Sequence, residues 1–264
     1  MAQDKGVLID LTKCIGCGSC TVACKLWNKV AFNEKAPAVG ASAKLNDKNW
    51  TVVERREAVT RQGEPVYRYV KQQCMHCKDP ACVSACFSRA LQKDENGAVV
   101  YYPDLCVGCR YCMVACPFDV PKYEWEKALP LVAKCQMCAT RLAKGASPAC
   151  VDVCPTGAMT FGNSDELLQT AQSIVANDNK YIKHIYGAKE IGGTNWLYIS
   201  DVNFVELGFK TDMEDVSPVT YTRGLLSAVP FLAVTWGVFL TAMALYSRGR
   251  RKLEGKKGDS DDEE

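Results

Sequence analysis

The sequence predicts an α+β fold made of two small modules, one inserted in the other, followed by one C-terminal transmembrane helix. Three observations lead to this prediction. The 264 residues include sixteen cysteines, which fall into four groups of four. Short β-like runs precede these groups, and short helix-compatible segments follow them. An uncharged run of 22 residues near the C-terminus is long enough to cross a bilayer.

The third cysteine group, at residues 106–117, has the spacing C-x2-C-x2-C-x3-C-P. Three cysteines in one tight loop can bind three irons of a cubane, and the fourth begins a helix that leads toward a second cluster. The other groups vary this spacing: C-x2-C-x2-C-x3-C at 14–24, C-x2-C-x4-C-x3-C at 74–86 and C-x2-C-x11-C-x3-C-P at 135–155. The four groups therefore predict thiolate ligands for iron–sulfur clusters.

The repeat indicates two ferredoxin-like units, in which the fourth cysteine of one group ligates the cluster held by the other. Groups two and three are only nineteen residues apart and are expected to pair, which leaves groups one and four to pair around them. The outer module is then 1–65 with 123–210, and the inserted module is 66–122. The predicted ligand sets are set A (Cys14, Cys17, Cys20, Cys154), set B (Cys135, Cys138, Cys150, Cys24), set C (Cys74, Cys77, Cys82, Cys116) and set D (Cys106, Cys109, Cys112, Cys86). Sixteen thiolates complete four [4Fe–4S] clusters without another ligand.

Disulfides, structural zinc and a catalytic cluster are the alternatives to a purely electron-transferring role. Cysteines two residues apart, repeated four times, fit disulfides poorly and metal binding well. Zinc would leave the protein colourless, whereas iron–sulfur clusters would make it brown. A catalytic cluster keeps one iron open, which four complete sets disfavour. The sequence has no phosphate loop, nucleotide fingerprint or Ser/His/Asp order, so no catalytic residue is predicted. A net charge of +2 gives no sign of nucleic-acid binding.

Several residues near the cysteines have two readings. His76 is either a hydrogen-bond donor that tunes a cluster or an incidental loop residue. Flanking aromatic and basic residues shape either a partner surface or the packing around the clusters; these are Trp27, Arg110, Tyr111 and Lys134. Glycines within the ligand loops, such as Gly16 and Gly108, let the backbone approach a cluster closely.

Regular elements are expected between the groups. Strands are predicted at 7–10, 50–59, 66–70, 98–102, 158–161 and 196–202, with a helix from Cys20 and another from Asn163 to about Ala176. The insertion at 139–149 is expected to be a surface loop.

The C-terminal part is expected to anchor the chain in a membrane. The apolar run at 225–246 spans about 33 Å as a helix, after a tether at 211–224 and before a charged, unstructured tail at 247–264. Basic residues are concentrated in the tail: Arg248, Arg250, Arg251, Lys252, Lys256 and Lys257. The positive-inside rule then predicts a cytoplasmic tail and a cluster domain on the outer face of the cytoplasmic membrane. The first residues, 1–6, show no export signal.

Over residues 7–246 the sequence resembles the membrane-anchored, four-cluster iron–sulfur subunits of anaerobic respiratory oxidoreductases. The shared runs are 73–77, 108–117, 148–150 and 154–158. Groups two and three and residues 185–194 are similar to the iron–sulfur subunit of membrane-bound nickel–iron hydrogenases. Residues 8–10 and 14–17 and the spacing of group four are similar to the beta subunit of respiratory formate dehydrogenase.

The resemblance implies that electrons pass between a catalytic subunit and a membrane subunit that reacts with quinone. The catalytic partner would be a hydrogenase or, alternatively, a formate dehydrogenase or another molybdopterin oxidoreductase. The resemblance also implies export of the folded subunit with a partner that carries a twin-arginine signal. Phe87 departs from the family, which usually has proline after the cysteine equivalent to Cys86; this departure concerns the helix exit or cluster exposure and removes no ligand.

Overall fold

The computed structural model describes residues 3–32, 36–128 and 130–258, with side chains described up to Arg250. One compact unit extends to Pro218, and a second begins at Val219. The elements are β1 (Lys5–Asp10), α1 (Ser19–Asn28), β2 (Val39–Gly40), β3 (Val52–Val59), β4 (Pro65–Gln72), α2 (Ala81–Ser84), β5 (Leu91–Lys93), β6 (Val99–Tyr101), α3 (Tyr111–Ala115), β7 (Lys122–Tyr123), β8 (Val132–Ala133), α4 (Ala139–Leu142), α5 (Ala149–Asp152), β9 (Met159–Asn163), α6 (Ser164–Asn177), β10 (Trp196–Ile199) and α7 (Pro218–Gly258). Mixed helix and sheet confirm the α+β class.

The central sheet, of order β10-β1-β9, brings the first and fourth cysteine groups together. β1 runs antiparallel to β9 and parallel to β10, so that Val7 lies between Phe161 and Trp196. Because β1 leads into the first group and β9 follows the fourth, their pairing places both groups at one end of the sheet. The helices of these groups, α1 and α5, also contact each other.

Helix α6 covers one face of this sheet. Its buried residues Leu167, Ala171 and Val175 lie on one face of the helix and pack with Leu8 and Leu197 of the strands. The helix begins where Asn163 accepts hydrogen bonds from two main-chain N–H groups in the first turn. The start predicted from the sequence is therefore confirmed.

The other strands form a three-stranded sheet, β2-β3-β4, and two hairpins, β5-β6 and β7-β8. The two hairpins enclose a separate core that contains Cys82, Leu91, Cys112, Tyr123 and Val132. Its helices α2 and α3, from the second and third cysteine groups, pack against each other. This core extends past residue 122, where the inserted module was expected to end. The nesting of one module in the other remains a prediction.

Helix α7 is longer than the expected membrane span. It begins at Pro218, within the segment expected to be a tether, and continues to Gly258 through most of the tail that was expected to be unstructured; 259–264 lie outside the described residues. The most apolar 18-residue window within Pro218–Arg250 has a mean hydropathy of 1.9, and none of that window is buried. Among the described residues it is the one helix long and apolar enough to cross a membrane.

Candidate iron–sulfur centres

The four ligand loops share one backbone conformation, although the residue that adopts it differs between the loops. The residue just before the second cysteine of each group is left-handed: Gly16, His76, Gly108 and Met137 have φ values of 72°, 47°, 71° and 53°. This turn directs main-chain N–H groups toward the first cysteine, as Met137 N–H donates to Cys135 Sγ at 3.3 Å. Glycine adopts the conformation without strain, whereas His76 and Met137 are held in it by complete burial.

Three of the four predicted cysteine sets each line one cavity. The cavity of set A is lined by its four cysteines, which come from β1–α1 and from the end of α5. The cavities of set B and of set D likewise contain all four predicted cysteines of their set. In each cavity, one cysteine comes from the group that does not supply the other three: Cys154, Cys24 and Cys86 respectively.

The cysteines of set C lie close enough for their charges to affect one another. Burial raises the pKa of Cys77 well above its usual value, and the charges of Cys74, Cys116 and Cys82 raise it further. The fourth member, Cys116, thus lies near the other three although it comes from the third group. The structure brings all sixteen predicted cysteines together in the four expected combinations.

The buried thiols retain their protons in the absence of a cation. Burial raises the pKa of Cys20 to about 11 and that of Cys24 to about 12. The same cause raises the pKa of Cys82 to about 12 and that of Cys112 to about 11. Iron binds the thiolate form, so cluster assembly must release these protons and is favoured as pH rises.

Two buried donors without partners, one in the ligand loop of set C and one in the cavity of set B, indicate that these sites suit an acceptor-rich group. His76 is fully buried, its Nδ1 accepts the Val99 N–H at 2.8 Å, and its Nε2 has no partner in the described part of the chain. Trp196 lines the cavity of set B, and its Nε1 is also without a partner there. Each unpaired donor costs about 1–3 kcal/mol, which the sulfur atoms of a bound cluster would offset. The residues fit [4Fe–4S] clusters.

Lys71 on β4 is a buried cation that the sequence did not single out. It is 3 % exposed and lines the cavities of both set A and set B. Burial alone would lower its pKa, but the negative charge that Cys150 and Cys20 carry when they are ionised outweighs burial and raises it. Its only signal in the sequence is its position three residues before Cys74.

For Lys134, the structure excludes a role in a partner surface and supports packing around the clusters. Lys134 is 2 % exposed and therefore cannot contribute to a partner surface. Its Nζ donates to the carbonyl oxygens of Val99 and Cys135, and it lies 4.0 Å from Cys74 Sγ. Lys134 thus lies between set B and set C.

The other flanking residues are exposed. Tyr111 and Phe87 beside set D are 58 % and 75 % exposed. The guanidinium group of Arg110 lies over the ring of Trp125, and that of Arg141 lies over Trp27. These rings remain available for contact with another protein.

The fold and the cysteine cavities define a ferredoxin-type iron–sulfur protein. Two family models, each described as a 4Fe-4S dicluster domain, match residues 13–90 and residues 65–164. The chain is 42 % identical over 258 residues to a protein of Nitratidesulfovibrio vulgaris, covering 96 % of this chain and 69 % of that protein. It is 38 % identical over 237 residues to the hydrogenase-2 operon protein HybA of Escherichia coli O157:H7, covering 76 % and 71 %.

A further relative is the iron–sulfur subunit of the nitrate-inducible formate dehydrogenase of Escherichia coli K12. The two sequences are 36 % identical over 244 residues, which are 88 % of this chain and 82 % of the relative. The chain belongs to the family of 4Fe-4S dicluster iron–sulfur subunits that includes these proteins. The resemblance seen in the sequence is confirmed, and [4Fe–4S] clusters are its cofactors.

Proposed function

We propose that this chain is the electron-transfer subunit of an anaerobic respiratory complex, with four [4Fe–4S] clusters and no catalysis of its own. The observation that carries the proposal is the grouping of the cysteines, in which three sets each line one cavity and every set includes a cysteine from another group. When bound, each cluster would accept and donate one electron. The role of the chain is to hold the clusters by sets A, B, C and D.

The positions of the cysteines support a linear relay in the order A, B, C, D. Cys150 of set B is close enough to Cys20 of set A for its charge to raise the pKa of Cys20. Cys74 of set C acts in the same way on Cys135 of set B. Cys112 of set D acts on Cys82 of set C. No comparable interaction links set A with set D in the described residues.

The partners proposed for the two ends of this relay are a hydrogenase catalytic subunit and an integral membrane subunit that reacts with quinone. The relationship to a hydrogenase-2 operon protein supports the first. A formate dehydrogenase or another molybdopterin oxidoreductase is the alternative catalytic partner. Of these two, the formate dehydrogenase is favoured, because the match to a formate dehydrogenase subunit covers 88 % of this chain.

Helix α7 is proposed to anchor the subunit as a single span, with its basic C-terminal end in the cytoplasm. The cluster unit would then lie on the outer face of the cytoplasmic membrane. Export together with a twin-arginine partner would allow the clusters to be inserted before the chain leaves the cytosol.

The decisive experiment is to purify the intact complex anaerobically from membranes through a tag on this chain. We expect H2 to reduce the iron–sulfur signals and a quinone analogue to reoxidise them, with formate inactive. Reduction by formate alone would select the alternative partner. The proposal would be contradicted if the clusters of the isolated complex were neither reduced by H2 or formate nor reoxidised by the quinone analogue.

A further inference from the structure

Lys71 and Lys134 occupy corresponding places at two junctions of the relay. Lys71 lines the cavities of sets A and B, and Lys134 lies between sets B and C. No lysine or arginine is comparably buried between sets C and D in the part of the chain that the structure describes. The two cations therefore lie at the junctions of sets A and B and of sets B and C, and both adjoin set B.

The ammonium group of Lys71 is held by a closed hydrogen-bond network. Its Nζ donates to Gln73 Oε1 at 2.7 Å, Gln73 Nε2 donates to the Tyr198 hydroxyl at 2.7 Å, and that hydroxyl donates to the Lys71 carbonyl at 3.0 Å. The same Nζ lies 4.6 Å from the centre of the Trp196 ring. The network fixes the charge in one place between two sets of thiolates.

Neither lysine has a carboxylate partner among the described residues. The neighbours of Lys71 Nζ are an amide oxygen and a ring, and those of Lys134 Nζ are two carbonyl oxygens and a thiol. A buried ammonium without an anion is strongly destabilising, and a structure tolerates it only where negative charge compensates it. The compensating charge on both sides is that of the thiolates and of the clusters that they would bind.

We propose that Lys71 and Lys134 are the residues that set the reduction potentials within the relay, Lys71 for sets A and B and Lys134 for sets B and C. Reduction adds one negative charge to a cluster, and a fixed cation nearby stabilises the reduced form more than the oxidised form. Each lysine therefore raises the potentials of the two clusters beside it. Set B lies beside both and receives both contributions, whereas set D receives neither.

This inference rests on the proposed function, because it assumes that the four sets hold clusters. The test is a redox titration of the full-length protein, purified anaerobically in detergent and followed by electron paramagnetic resonance. Set signals are assigned beforehand with single cysteine-to-serine variants. Lys71→Met and Lys134→Met are compared with the unmodified protein and with Lys93→Met, a partly buried lysine whose charge is already neutralised by Asp4 at 2.6 Å.

We expect Lys71→Met to lower the potentials of sets A and B, and Lys134→Met to lower those of sets B and C. The expected change is about tenfold in each equilibrium constant for one-electron reduction, equivalent to about 59 mV. The potential of set D should be unchanged in both variants, and all four should be unchanged in Lys93→Met. Lys71→Arg should restore the potentials of sets A and B because it keeps the charge.

Four intact signals with unchanged potentials in both methionine variants would overturn this inference and leave the proposed function standing. Fewer than four clusters in the unmodified protein would instead contradict the proposed function. Suppose instead that Lys71→Met and Lys71→Gln lose the signals of sets A and B while Lys71→Arg retains them. That result would show that the positive charge at position 71 acts on the clusters of these two sets, and it would support the inference. Loss in all three variants would show a packing role and overturn the inference.

Discussion

The Nδ1 atom of His76 accepts the main-chain N–H of Val99 at 2.8 Å, and this single hydrogen bond fixes which ring nitrogen carries the proton. A neutral imidazole that accepts at Nδ1 must donate at Nε2, and Nε2 has no partner in the described chain. The pKa of His76 is lowered well below its usual value, first by burial and then by the charges of Lys134 and Lys71. In the sequence, His76 lies between Cys74 and Cys77 of set C.

The first prediction concerns this donor. His76→Asn tolerates the left-handed backbone but loses the reach of the imidazole, and we expect it to lower the potential of set C. It should also lower the free energy of unfolding by about 1–3 kcal/mol, because the Val99 N–H loses its acceptor. Met137→Leu, at the equivalent position of the fourth group, serves as a control that should leave the potential of set B unchanged. An unchanged set C potential in His76→Asn would show that His76 is an incidental loop residue.

The second prediction uses two glycines with the same backbone conformation and different surroundings. A Cβ at Gly16 would overlap the ring of Tyr69, whereas a Cβ at Gly108 meets nothing within 4 Å. Gly16→Ala should therefore displace the ligand loop and prevent set A from binding its cluster. Gly108→Ala should cost only about 1–2 kcal/mol of backbone strain and keep all clusters. Iron content and the set A resonance of each variant provide the measurement, and equal behaviour of the two variants would refute the steric explanation.

The cysteine spacing predicted the ligand sets, alternation predicted the strands, and a capping box and an apolar run predicted the two long helices, because each of these features is a local pattern in the sequence. The buried lysines left none. Lys71 lies on a strand among polar residues and resembles a solvent-facing residue, since its burial depends on two cavities whose walls come from distant parts of the chain. For the same reason the sequence leaves Lys134 with two interpretations, a partner surface or packing around the clusters, and only the structure decides for packing.

Helix α4 was also missed, in a stretch expected to be a loop. Leu142 anchors it in the core, and Arg141 closes it by pairing with Asp152 and by donating to the Ser147 carbonyl at 2.7 Å. These contacts are too specific to be inferred from composition. The extension of α7 beyond the apolar run is a different case, because the residues that follow include many strong helix formers, which continue a helix once it has begun.

The third prediction concerns metal content. Four complete sets require about 16 iron and about 16 sulfide per chain by the stoichiometry of the cubane. Anaerobic purification of the full chain, followed by chemical analysis of iron, sulfide and zinc, tests this number. A value near eight would leave only two sets filled, and zinc in excess of iron would contradict the cofactor assignment.

The fourth prediction concerns the exchange of ligands between groups. Cys24→Ser should damage the cluster of set B and spare set A, although Cys24 belongs to the first group, because its side chain lines the cavity of set B. Cys154→Ser is the reciprocal control and should damage set A alone. Serine keeps the size of the side chain and replaces a soft thiolate by a poor iron ligand. If Cys24→Ser removed the same resonance as Cys14→Ser, each group would hold its own cluster and the proposed sets would be wrong.

The final prediction separates the cluster unit from the helix. The unit that extends to Pro218 contains every cysteine, whereas α7 from Val219 exposes apolar side chains along its length, including Leu225, Phe231 and Trp236. A chain that ends at Pro218 should therefore be a soluble, brown protein with the same iron content as the full chain. The full chain should remain in the membrane fraction after a high-salt wash, because its attachment is hydrophobic rather than electrostatic.

Protease added to intact spheroplasts then tests the proposed side of the membrane. We expect digestion of the cluster unit and survival of a fragment that contains the basic end of α7, since the concentration of Arg and Lys after the span favours a cytoplasmic C-terminus. A tag at the C-terminus identifies the fragment, and disrupted cells show that the tag itself is digestible. Protection of the cluster unit in spheroplasts, with digestion of the C-terminal tag, would require the opposite orientation and would place electron transfer on the cytoplasmic face.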